Sequence, residues 1–141
     1  MADTVTPLRG RPSGGDSEKI TLNLGPVDLG RIDLLVQEGF YSTRSDFIRS
    51  AIRSQLGLHA AEIARSIERH TLELGLRDIT AADLEAARAA GETLHVKVVG
   101  LARIAADVTP ELARASIASL TVLGALQASP QVKQALADRI R

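Results

Sequence analysis

Three features of the sequence predict an α+β fold in two modules. Residues 18–24 (EKITLNL) alternate apolar and polar side chains, as a half-buried strand does. Two segments with apolar residues at helical spacing follow, with no second strand nearby. From Asp78 onward, short capped helices alternate with β-like runs, the pattern of a small α/β module. A chain of 141 residues holds one ordinary domain or two small ones. Many of its apolar residues are alanine, and Phe40, Tyr41 and Phe47 are its only aromatics. Thin cores in two modules fit this composition better than one large globule.

Residues 1–17 (MADTVTPLRGRPSGGDS) lack apolar periodicity and are rich in Gly, Pro, Ser and Thr, so a disordered arm is expected. Arg9 and Arg11 make that arm a candidate for phosphate contact. In the strand, Ile20, Leu22 and Leu24 share one face and Lys19, Thr21 and Asn23 the other. Gly25-Pro26 ends it, and proline is favourable at a first helical position. The first helix is expected to run to about Glu38, with Leu29, Ile32, Leu35 and Val36 on one side. Asp28 sits near its positive end, and Gly39 is a good stop.

The second helix opens at STRSDFIRSAIR, residues 42–53, and runs to about Leu56. Thr43 is the expected N-cap, and Asp46, with a shorter reach than glutamate, is placed to close a capping box. Phe47, Ile48, Ala51, Ile52 and Leu56 form its apolar side, opposite Arg44, Arg49 and Arg53. Residues 57–77 read as a linking helix with Ile63, Ile67 and Leu74 on one stripe, either continuous with its predecessor or broken at Gly57.

In residues 78–141, Thr80 and Asp83 form a capping box and Gly91 a stop. Thr109-Pro110 and Ser129-Pro130 each start a short helix, and residues 94–104 and 119–128 are β-like. VVG at 98–100 and VLG at 122–124 form a weak internal echo, each before a Thr/Ser-Pro start. The echo is compatible with crossover units in a parallel sheet or with two rungs of a small solenoid.

The absence of cysteine excludes disulfides, thiolate metal sites and cysteine nucleophiles. With no apolar run of membrane-spanning length, a cytoplasmic protein without a membrane partner is expected. His59, His70 and His95 are scattered, without a second ligand at metal spacing, so no metal is expected. No nucleophile, base and orienting group come together, and Gly91, Gly100 and Gly124 do not form a phosphate loop. Neither an enzyme nor a cofactor is expected, and no polar cluster in residues 78–141 names a ligand.

A lone strand leaves backbone donors and acceptors unpaired on both edges. The simplest remedy is antiparallel pairing with the same strand of a second chain, about a two-fold axis. Ile20, Leu22 and Leu24 of both copies then cover four helices, and Lys19, Thr21 and Asn23 lie exposed on a two-stranded ribbon. Such a ribbon fits the DNA major groove, where lysine and asparagine suit guanine and adenine edges.

KITLNLGPVDLGRIDLLVQEGFYSTRSDFIRSAIRSQL, residues 19–56, resembles a ribbon-helix-helix domain of the CopG/Arc/MetJ type. The matching pieces are the alternating strand, the two helices and the Gly39 turn before STRSD, in order and at the right spacing. The resemblance implies an obligate homodimer over residues 18–56, with double-stranded DNA as its partner. It gives Lys19, Thr21 and Asn23 the base contacts, and Thr43, Arg44 and Ser45 the phosphate contacts. Arg49 and Arg53 are expected to be surface groups. A dimeric transcriptional regulator, a repressor of the CopG kind, is the expected function. An antitoxin or plasmid-partition protein, or a structural protein assembling through residues 78–141, are the alternatives. The same residues are where a higher oligomer would form. Net charge is zero, and residues 1–56 hold seven basic and seven acidic side chains. Electrostatic affinity for DNA from one dimer should therefore be modest.

Overall fold

The computed structural model describes residues 17–141, so Arg9 and Arg11, with the expected arm, lie outside the described residues. The chain divides into two compact units, Met1–Ala64 and Arg65–Arg141. It is mixed helix and strand, with a three-stranded sheet.

In the first unit, α1 spans Pro26–Gln37, with Pro26 in its first turn and Asp28 against its positive end. Gly39, at φ +87°, closes it. The Gly39 N–H donates to the Val36 carbonyl and the Phe40 N–H to the Leu35 carbonyl, the paired bonds of a Schellman motif. Helix α2 spans Arg44–Leu58, and the Thr43 hydroxyl accepts from the Asp46 N–H at 3.0 Å. The Asp46 carboxylate reaches the N–H of Ser42 at 3.0 Å, one residue before the cap. At Thr80 the same spacing does close on the cap's own N–H, from Asp83. The cap φ differs, −148° at Thr43 against −104° at Thr80, and this angle sets where the cap N–H points.

Among the described residues of this unit only Ile32 is buried, and α2 has no buried residue at all. Ile20, Leu22, Leu34, Ile52 and Leu56 are exposed. No strand is assigned at residues 18–24, where one is expected. A strand is defined by its partner's hydrogen bonds, and a single copy of the chain supplies none.

The helical course breaks at His59, with Gly57 inside α2. Helix α3 spans Ala60–His70 and ends in a second Schellman motif: Thr71 N–H to Glu68 carbonyl, Leu72 N–H to Ile67 carbonyl. The helical reading of residues 57–77 is corrected here, because β1 occupies Glu73–Ile79. Its pairing with a strand some twenty-five residues on overrides the local pattern.

The second unit continues as α4 (Ala81–Ala89), β2 (Leu94–Ile104), α5 (Pro110–Ser116), β3 (Ile117–Gln127) and α6 (Pro130–Ala135). All four expected starts and stops hold: the Thr80–Asp83 box, Thr109-Pro110, Ser129-Pro130, and Gly91 at φ +71°. The strands are parallel in the order β1-β2-β3. Crossovers of one hand in this order place α4, α5 and α6 side by side on one face of the sheet. Between helices and sheet lies the core, including Ile79, Leu84, Val96, Val98, Ile117, Leu120 and Leu136. The opposite face stays open, and carries Leu74, Leu76 and Leu123.

Each strand has a glycine at one register, Gly75, Gly100 and Gly124, at φ +120°, +135° and +125°. The unit is therefore a three-rung solenoid, each rung one strand and one helix. A methyl group on Gly100 would overlap the Gly75 carbonyl, and one on Gly124 the Gly100 carbonyl. The first rung is polar where the others are apolar. Glu73 and Arg77 form an ion pair at positions that in β2 hold buried Val98 and Ala102. Charge at inward positions caps the stack at that end. At the other end, Leu120 bridges to Ile140, and Arg114 binds Asp138 at 2.7 Å.

Candidate nucleic-acid interface

Lys19, Thr21 and Asn23 are exposed, and no hydrogen bond or ion pair engages them within the described residues. Ile20 and Leu22, on the alternate side, are 77 % and 59 % exposed. Residues 18–24 are thus open on both sides within one copy of the chain.

The three residues at the start of α2 are half-buried, and each is already engaged. Thr43 is the N-cap. Ser45 also has a partner on its own chain. Arg44 grips Asp33 on α1 with both arms of its fork, Nε to Oδ1 at 2.7 Å and Nη2 to Oδ2 at 2.8 Å. Sequence reasoning missed Asp33. Its only signal is an opposite charge eleven residues away across the Gly39 turn. The pair lies at the surface, with the Arg44 side chain 31 % and the Asp33 side chain 48 % exposed. It fixes the guanidinium beside the helix start without adding much stability. In the same unit, Tyr41 and Phe47 meet edge to face at 5.1 Å. Arg49 and Arg53 are exposed and form no ion pair within the described residues.

The hydrogen bonds from Arg44 hold the Asp33 carboxyl below the usual aspartate range, against a smaller opposing effect of desolvation. A lowered folded-state value means that the pair stabilises the fold above the ordinary aspartate pKa. That contribution is lost as pH falls through the lowered value, in a window beginning near pH 4. Asp33→Asn is therefore expected to make the melting temperature of the full chain less sensitive to acid in that window. Parallel melting curves of variant and parent from pH 5 to about pH 2 would show that the pair contributes nothing.

No group of three or more His, Asp or Glu able to hold a metal occurs among the described residues. No helix among them is long and apolar enough to cross a membrane.

The profile of the ribbon-helix-helix transcriptional regulator family matches residues 15–133, and the chain belongs to that family. It is thus a DNA-binding transcriptional regulator. The match runs far past residues 19–56 and takes in the residues of β1, β2 and β3. No curated protein and no solved structure matches the chain.

Proposed function

We propose that the chain acts as a homodimeric, sequence-specific repressor that reads the major groove with an intersubunit β-ribbon. Residues 18–24 of two copies pair antiparallel about a two-fold axis. Ile20, Leu22 and Leu24 then close over α1 and α2 of both copies, and Lys19, Thr21 and Asn23 face the bases. The observation carrying this reading is the first unit's missing core: two helices and a strand segment with one buried residue between them. Folding such a unit alone would order some forty residues for almost no apolar burial, at about 1–2 kcal/mol of backbone entropy per residue.

The start of α2 sets Thr43, Arg44 and Ser45 against the phosphates, aided by the helix dipole. Arg44 reaches DNA already held by Asp33. Because that pair is exposed, exchanging the carboxylate for a phosphate costs little. Arg9 and Arg11 would add phosphate contacts from the arm. The solenoid has its own core and caps, which fits a folded accessory module better than the toxin-wrapping tail of an antitoxin. Its charged first rung disfavours head-to-tail stacking of copies at β1, so any higher oligomer would use another surface.

Fluorescence anisotropy on an operator selected from random DNA tests the roles. Lys19→Ala and Asn23→Ala are each expected to weaken specific binding about 10- to 100-fold, with non-specific affinity nearly unchanged. Arg44→Ala should weaken both and lower the salt slope by about one per copy. Equal losses on both DNAs from all three variants would refute the assignment, and failure to enrich any sequence would refute specific recognition.

A further inference from the structure

We infer that the second unit carries a binding site for a small organic anion, with a phosphate or carboxylate head on an apolar body. The site is a cleft of about 570 Å³ between the last turn of α3 and the open face of the sheet. Arg69 and His70 come to it from the helix, Lys97 and Thr121 from neighbouring positions on β2 and β3. Leu123 supplies an apolar floor. No carboxylate lines the cleft, although the chain as a whole has as many acids as bases.

Two observations separate this cleft from ordinary basic surface. The first is the state of its cations. On the sheet, Arg77 and Arg103 are each neutralised by a carboxylate of the same chain, Glu73 and Asp78. Lys97, on the same open face as Arg103, forms no ion pair within the described residues, and neither does Arg69. Complementing the negative end of α3 accounts for Arg69 and His70. It does not account for Lys97 and Thr121, which arrive from the sheet.

The second observation is Thr71, which lines the cleft at φ +53°. Among the described residues, three helices end in the same paired-bond motif. α1 and α4 place glycine at the left-handed position, Gly39 and Gly91, but α3 places threonine. A β-branched residue is strained there and glycine is not. Strain of this kind is stored where the side chain is needed. With a hydroxyl from the helix end, another from the sheet, and Arg69 and Lys97 beside them, the cleft presents donors that a single anion can engage together.

The cleft uses none of the residues of the proposed DNA-reading surface and does not rest on that assignment. The test is a titration of the full-length protein, without DNA, by phenyl phosphate, followed by NMR of the leucine and threonine methyl groups. Inorganic phosphate is run beside it to weigh head against body. Saturable shifts at Leu123 and Thr121 are expected, with a Kd on the order of 1 mM, tighter for phenyl phosphate than for phosphate. Lys97→Ala and Arg69→Ala should each weaken binding about 10-fold, and Arg49→Ala should leave it unchanged. Thr71→Gly should raise the melting temperature by about 2–4 °C while weakening the anion, an opposition that a purely structural turn would not show. The inference is overturned if no shift saturates by about 20 mM, or if Thr71→Gly binds as the parent does. It is equally overturned if duplex DNA alone shifts these methyl groups. None of these results bears on whether the ribbon reads DNA.

Discussion

Gly100→Ala is expected to unfold the solenoid unit, at a cost above about 3 kcal/mol. Two separate penalties coincide there. The backbone sits at φ +135°, a region that L-residues rarely adopt. The new methyl would also overlap the Gly75 carbonyl, which is backbone and cannot swing aside as a side chain would. Either β1 leaves β2 or Gly100 changes conformation and breaks the β2–β3 register, and both routes open the core over Val98 and Ala102. Gly75→Ala is the control. Its φ is similar, +120°, but nothing lies within 4 Å of the added carbon, so only the conformational cost remains, about 1–2 kcal/mol. Urea unfolding of the two variants compares them directly. If Gly75→Ala is as damaging as Gly100→Ala, close approach between the strands is not what requires glycine.

Leu22→Asp is expected to abolish the proposed dimer and, with it, all DNA binding. Leu22 is 59 % exposed in one chain but would be central to the inner face of the proposed ribbon. By symmetry each substitution acts twice, bringing two carboxylates into one small core. Burying an unpaired charge costs several kcal/mol, so dissociation should increase by about 1000-fold or more. Analytical ultracentrifugation should show a monomer, and circular dichroism should lose part of the helix signal, because α1 and α2 bury only Ile32 without a partner. Asn23→Ala, one residue on, should leave the dimer intact and lose only specific binding. A Leu22→Asp protein that stays dimeric would reverse the two faces assigned to the strand.

Local chemistry made much of the fold legible in the sequence. Thr80, Thr109 and Ser129 cap the helices expected of them, and β2 spans the residues its pattern names. β1 was not legible, for a specific reason. Its inward positions hold Glu73 and Arg77 where an inner rung holds valine and alanine, so the apolar alternation is missing. Leu74 meanwhile continues the helical stripe of Ile63 and Ile67. With that strand hidden, the VVG and VLG echo lacked its third member at Gly75. Alternation alone sets Lys19, Thr21 and Asn23 apart from Ile20, Leu22 and Leu24 as an expectation, since one copy of the chain leaves both sides of residues 18–24 exposed. The Arg44–Asp33 pair instead depends on how the Gly39 turn returns the chain. The cleft at Arg69, Lys97 and Thr121 was illegible because strand register and a left-handed threonine assemble it from distant positions.

The aligned glycines also set the increments in which this module can change size. Gly75, Gly100 and Gly124 recur after twenty-five and then twenty-four residues, and each fits against the carbonyl of the one before. A whole course of that length could be duplicated or deleted with every surviving glycine still meeting a glycine. A single residue added between Gly100 and Gly124 is absorbed only in the helix or its turns, since within a strand it would set a side chain against a carbonyl. The solenoid is thus modular in steps of one course, and intolerant of anything smaller along its strands.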